Sequence, residues 1–102
     1  MNIQGLLKQA QKMQVEIAKA EKKLKETTYT AKISDGMVEV EVNGGFELTK
    51  ISIDSKLLSE DNKEMLEDMV LMATNEAIKL AQAEKDRVMN QLTGGVKVPG
   101  AF

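Results

Sequence analysis

Five lysines stand where a single helix would bring them together: Lys8, Lys12, Lys19, Lys22 and Lys23. At 100° per residue they fall within an arc of about 100°, over roughly 22 Å of helix axis. Ammonium groups at that density suit a polyanion, because each phosphate neutralised releases a condensed counterion. The competing reading is a solvated helix face that keeps the chain soluble. Glu16 borders the row within reach of Lys12 and Lys19, and Val15 interrupts it.

Little else in the 102 residues offers chemistry. There is no cysteine and no histidine. A disulfide framework, a thiol nucleophile and a cysteine-based zinc site are therefore excluded, and the usual general base is missing. Ser and Thr have no nearby base to activate them. Asp54, Glu60, Asp61 and Glu64 lack the spacing of a calcium loop, and acids at a helix start have an electrostatic reason to be there. Asn43-Gly44-Gly45 and Gly94-Gly95 are not followed by Gly-Lys-Ser/Thr, so they read as a turn and a helix stop rather than phosphate loops. An enzyme would require a cofactor that no motif advertises; no cofactor, metal or small-molecule substrate is expected. The first ten residues carry no basic and apolar signal-peptide pattern, and no run approaches a membrane span of about 18 apolar residues. The expected compartment is the cytoplasm.

If the polyanion is nucleic acid, composition limits the mode. Three aromatics, Tyr29, Phe46 and Phe102, make no stacking platform for single strands. Arginine, the usual reader of guanine edges, occurs once, as Arg87. There is no helix-turn-helix, zinc-finger or basic-zipper pattern. Lysine-dominated contact implies duplex DNA held by its phosphates, with weak sequence preference.

The elements that must position these lysines are legible from periodicity. Ile3, Leu6, Ala10, Met13, Ile17, Ala20 and Leu24 alternate in steps of three and four, the a/d seam of a helix over 3–25. Thr27 and Thr28 close it. An antiparallel meander follows, with strands over about 27–33, 37–43 and 46–54. Tyr29, Ala31 and Ile33 alternate in the first strand, and Val38, Val40 and Val42 alternate with Glu39 and Glu41 in the second. Ser34-Asp35-Gly36 and Asn43-Gly44-Gly45 supply the turns, the latter because Asn and Gly accept positive φ cheaply. The third strand slips phase between Leu48 and Ile51, which predicts a bulge near Lys50. Ser59 is the expected N-cap of a helix over about 60–92, with Leu66, Met69, Val70, Ala73, Ala77, Leu80, Ala81 and Val88 on its apolar stripe. Residues 93–102 form a tail. The fold class is α+β, a single α-β-β-β-α domain with two long flanking helices.

Charge is segregated along this order. Residues 1–32 hold seven lysines against three glutamates, whereas residues 33–76 hold eleven acids against three lysines. A second helix of about 33 residues spans roughly 50 Å, while a compact chain of this length has a radius of gyration near 13 Å. That helix overhangs its sheet unless something covers it, and an intertwined homodimer would do so.

The residues themselves resemble a known family. Leu7-Lys8-Gln9-Ala10-Gln11-Lys12-Met13-Gln14, Asp35 through Gly44, Ile51-Ser52-Ile53-Asp54 with Leu57-Leu58, Lys63 through Val70 and the terminal Pro99-Gly100 with Phe102 are similar to the YbaB/EbfC family of bacterial nucleoid-associated proteins. The likeness runs in order through nearly the whole chain. It implies a homodimer whose sheets meet centrally and whose helices project like tweezers. It also implies binding that alters DNA conformation, with roles in nucleoid organisation and gene regulation. Lys8 and Lys12 lie in the family's N-terminal motif. Lys85 and Arg87 become further candidates because they lie near the end of the second helix. Many members open with a Gly/Met-rich leader that this sequence does not have. The alternative from another class is a protein-interaction dimer, a prefoldin-like chaperone or adaptor, since two helices flanking β-hairpins also describe such subunits.

Overall fold

The computed structural model describes residues 2–94. The chain runs α1 (Ile3–Glu26), β1 (Thr28–Ile33), β2 (Val38–Asn43), β3 (Leu48–Ile53), two single 3-10 turns (Ser55–Leu57 and Glu60–Asn62) and α2 (Lys63–Thr93). The tail beyond Gly94 lies outside the described residues.

Local chemistry sets the ends of α1. The Asn2 side chain accepts from the Gln4 and Gly5 amides at 3.1 and 3.3 Å, satisfying two of the first-turn donors. At the other end Thr27 turns extended, and its hydroxyl donates to the Lys23 carbonyl at 2.7 Å. Lys23 and Lys25 in the last turn complement the helix dipole.

The three strands form an antiparallel meander in the order β1-β2-β3. In the β1–β2 turn, Ser34, Asp35 and Gly36 all take positive φ. The third strand slips as its phase predicted: Glu41 pairs with Lys50 but Val42 pairs with Leu48, so Thr49 is the extra residue. Its hydroxyl donates to the Glu41 carboxylate at 2.6 Å, tying the bulge down. The expected acidic face of β2 is balanced by register, since Lys32 lies opposite Glu39 and Lys50 opposite Glu41.

The β2–β3 turn departs from expectation. The left-handed residue is Phe46 (φ 63°), whereas neither Gly44 nor Gly45 has positive φ. The Asn43 carboxamide organises the turn by accepting from the Gly45 and Glu47 amides. Gly44 is needed for a different reason: a Cβ there would overlap the Leu24 carbonyl at the end of α1. Ser59 also departs from expectation. It precedes a 3-10 turn without a side-chain bond, and α2 proper starts four residues later, after Asn62. At its far end Gly94 is left-handed and stops α2.

Two cores result. In the head, Ala31, Val38, Val40 and Val42 pack with Leu57 against Ala73, Ala77 and Ala81 of α2. Alanines at a spacing of four give α2 a flat stripe on which the valines of β2 can approach closely. Leu80, placed on that stripe by the sequence, is exposed instead. In the arm, Ile17 and Leu24 of α1 close on Met89 of α2, flanked by Ala20, Val88 and Leu92. Leu92 shares a groove with Met13 and Glu16, and Val88 one with Ala20 and Leu24, so the helices run antiparallel. The overhanging half of α2 is thus covered by the chain's own α1. The molecule is a rod, 69 × 19 × 19 Å with a radius of gyration of 19.1 Å.

Gly44→Ala is expected to lower stability by about 2–3 kcal/mol through the forced shift of α1 against the turn. Gly36→Ala has open space around it and should cost only about 1 kcal/mol, for its positive φ. Urea midpoints of the two variants check the difference.

Candidate nucleic-acid interface

The α1–α2 seam decides which way the lysine row faces. With Ile17 and Leu24 buried against α2, the opposite side of α1 is turned to solvent. Lys8, Lys12, Lys19, Lys22 and Lys23 are all exposed there. Among the described residues the ion pairs are Lys63–Glu67 and Arg87–Glu84. Glu16 therefore neutralises neither Lys12 nor Lys19. The row is a set of ammonium groups whose displaceable partners are water and counterions.

The two α2 candidates go elsewhere. Two residues apart on a helix, Lys85 and Arg87 point about 200° from each other, and neither joins the row. The Lys85 ammonium sits 5.7 Å from the centroid of the Phe46 ring, a cation–π distance. Lys85 lines a small cleft with Glu21, Leu24, Lys25 and Gly44. Arg87 is held in a fork by Glu84, with its Nε donating at 3.1 Å and its terminal nitrogen closing the second bond. Its charge is half spent before any ligand arrives. The hydrogen bond from Arg87 holds the Glu84 carboxyl below the usual glutamate range.

Arg87 and Glu84 line a cavity of about 420 Å³ between α1, α2 and β1, with Lys23, Thr27, Tyr29 and Gln91. The Tyr29 hydroxyl is buried there without a hydrogen-bond partner. Burial pushes its pKa up, Glu84 adds to the rise and Arg87 opposes it. Of the lysine row, only Lys23 reaches this cavity. Sequence reasoning missed the Glu84–Arg87 pair, although its i,i+3 spacing was a usable signal. It also missed Lys25, which lies off the row and beside Lys85.

Most of the acids lie apart from the row, although Glu16, Glu21 and Glu26 share α1 with it. The eleven of residues 33–76 belong to the strands and their turns, the 3-10 turns and the first half of α2, at the head of the rod. Asp54 is occupied locally, accepting from the Lys56 amide at 2.9 Å to cap a 3-10 turn.

Known sequences match this chain along nearly its whole length. The profile of the YbaB/EbfC DNA-binding family matches residues 1–96. The chain belongs to that family. A nucleoid-associated protein of Clostridium novyi (strain NT) is 42% identical over 102 residues, spanning 100% of this chain and 90% of that protein. A nucleoid-associated protein of Anaeromyxobacter dehalogenans (strain 2CP-C) is 39% identical over 100 residues, spanning 98% and 97%. The fold is likewise found in the crystal structure of an uncharacterized protein from Helicobacter pylori. That protein has a TM-score of 0.79 and 29% identity, with 91% of this chain and 98% of that one covered.

The Glu84–Arg87 fork carries a pH expectation. A carboxyl with a depressed folded-state pKa keeps its pairing at neutral pH and loses it only as pH falls through that lowered value. Carboxyl NMR should give Glu84 a midpoint below the unperturbed value of about 4.3, and Arg87→Gln should bring it back up.

Proposed function

We propose that this chain is a non-enzymatic DNA-binding protein. On this reading a homodimer holds duplex DNA through the outer face of α1, mainly by phosphate contacts and with weak sequence preference. The observation that carries the reading is the unpaired row of five exposed lysines on the outward face of a helix, in a member of a DNA-binding family. Two further points support it. The single arginine is engaged by Glu84, which leaves lysine to make the contacts and limits base readout. Eleven of the sixteen acids lie within residues 33–76, at the head, so most of the negative charge stays off the outer half of the row.

The dimer finds support in the sheet. α2 packs on β1 and β2 and leaves β3 as an open edge. Leu48 and Ile51 pair across the sheet with the buried Val42 and Val40, so they share the apolar face. They remain 46% and 45% exposed. On α2, Leu71 and Ile78 precede Lys85 at seven-residue intervals, on the flank that meets the β2–β3 turn through Phe46, and both are exposed. An apolar trough beside an unpaired strand is a site for a second copy, and sheets joined there would send the two arms outward. Binding by paired arms would alter the path of the duplex. Effects on nucleoid organisation and gene expression would follow from that. The names of the relatives place those proteins at the nucleoid, the compartment proposed here within the cytoplasm.

Fluorescence anisotropy of a random-sequence duplex tests the reading. Affinity should fall with salt with a log–log slope of about −4 to −5 for each arm engaged, up to about −9 for both arms of the dimer, since each phosphate contact contributes roughly 0.9. Reversing Lys8, Lys12 and Lys19 together to Glu should abolish binding. In sedimentation the variant should still run at twice the 11.2 kDa chain mass. Retained affinity in that variant would refute the surface.

A further inference from the structure

The seam of α1 is longer than its cover. α2 stops at Gly94, and its Leu92 shares a groove with Met13 that Gln9 and Lys12 edge, so among the described residues the buried contact between the two helices runs from about Met13 to Leu24. The first half of the seam continues the same a/d spacing with no described residue packed over it. Ile3 is 71% exposed, Leu6 49% and Met13 37%, with Ala10 exposed between them and Leu7 at their flank. This bare stretch is about 15 Å long. It lies on the side of α1 opposite Lys8 and Lys12, so a duplex resting on the lysine row does not cover it.

We propose that the bare half-seam pairs with the same half-seam of a second copy, so that two DNA-bound molecules join tip to tip and bridge two duplexes. The inference rests on the DNA-binding reading above.

Self-complementarity singles out a second copy as the occupant. Laid antiparallel about an axis level with residue 8, the stretch sets Leu6 against Ala10 and Ile3 against Met13. Each large side chain meets a gap or a flexible partner, as helix packing requires. Gln9 and Gln14 flank the seam, and Lys12, which borders it beside Met13, comes level with Gln4 of the second copy, so no like charges are forced together. The contact also continues an existing interface, since the second half of the same seam already holds an antiparallel helix. The two lysine rows would then face in opposite directions, one toward each duplex.

A few side chains per copy fall well short of the roughly 800 Å² per partner of a stable interface. The pairing is therefore weak in free solution and takes hold when DNA raises the local concentration. Combined with a dimer built on β3, a second two-fold contact would link molecules into open chains.

The test uses the full chain and two duplexes, one tethered to beads and one fluorescent and free. Wild type should capture the free duplex on the beads. Leu6→Gln should reduce capture at least about fivefold while its anisotropy affinity for a single duplex stays within about twofold. Because the chain has no cysteine, L6C/A10C should form a covalent pair under mild oxidation on DNA, and Gln11→Cys, off the seam, should not. Undiminished capture by Leu6→Gln, or no excess of covalent pair over Gln11→Cys, would overturn tip pairing. If wild type binds no duplex in anisotropy, the DNA-binding reading fails and bridging with it. The cysteine pair at high protein concentration would then still report whether tips meet.

Discussion

Everything that α1 does depends on the closure of Ile17 and Leu24 over Met89. The helix touches the sheet only near its C-terminal end, where Leu24 meets Gly44. Ala20, Val88 and Leu92 flank the same closure and fix the azimuth of α1 with it. Met89 is fully buried, and removing most of such a side chain typically costs about 2–5 kcal/mol. The seam therefore determines both that α1 lies along α2 and which of its faces looks outward. The same contact that buries Ile17 exposes Lys12, Lys19 and Lys22.

From this follows the separation of charge in space. A chain with a net charge of −2 is a poor polyanion binder if its charges are mixed. Here the acidic middle third is folded into the head, where Lys32 and Lys50 oppose the glutamates of β2. The lysine row runs out along the arm. At physiological ionic strength the Debye length is about 8 Å, so over most of the arm the head's acids are screened from anything lying on the row. The elongation has a mechanical basis. α2 is one continuous helix shared between the two cores, so head and arm cannot fold back on each other without breaking it.

Features governed by local spacing were legible in the sequence. The a/d repeat placed α1 to within a residue or two at each end, and the break in alternation between Leu48 and Ile51 located the bulge one residue from Thr49. Features governed by what comes to lie opposite were not. Gly44 reads as a turn glycine, yet its role is to admit the Leu24 carbonyl, a contact across 20 residues of sequence. Phe46 takes the positive φ that the glycines were expected to take, which places its ring under Lys85. The overhang of α2 was visible, but helical periodicity cannot say which chain covers a seam, and the chain's own α1 does so. For the site, the angular spread of the lysines was readable at 100° per residue. The fates of Lys85 and Arg87 were not, because they depend on Phe46, Glu84 and the depth of the cavity beside Tyr29.

The most direct test of the account is a ¹H–¹⁵N NMR titration of the chain with a short duplex at low salt. Shift changes should concentrate on α1 from Lys8 to Lys23. The amides of Glu39, Glu41 and Lys50, in the sheet, should stay where they are. Changes centred on the sheet with α1 silent, or no change at any residue, would contradict it.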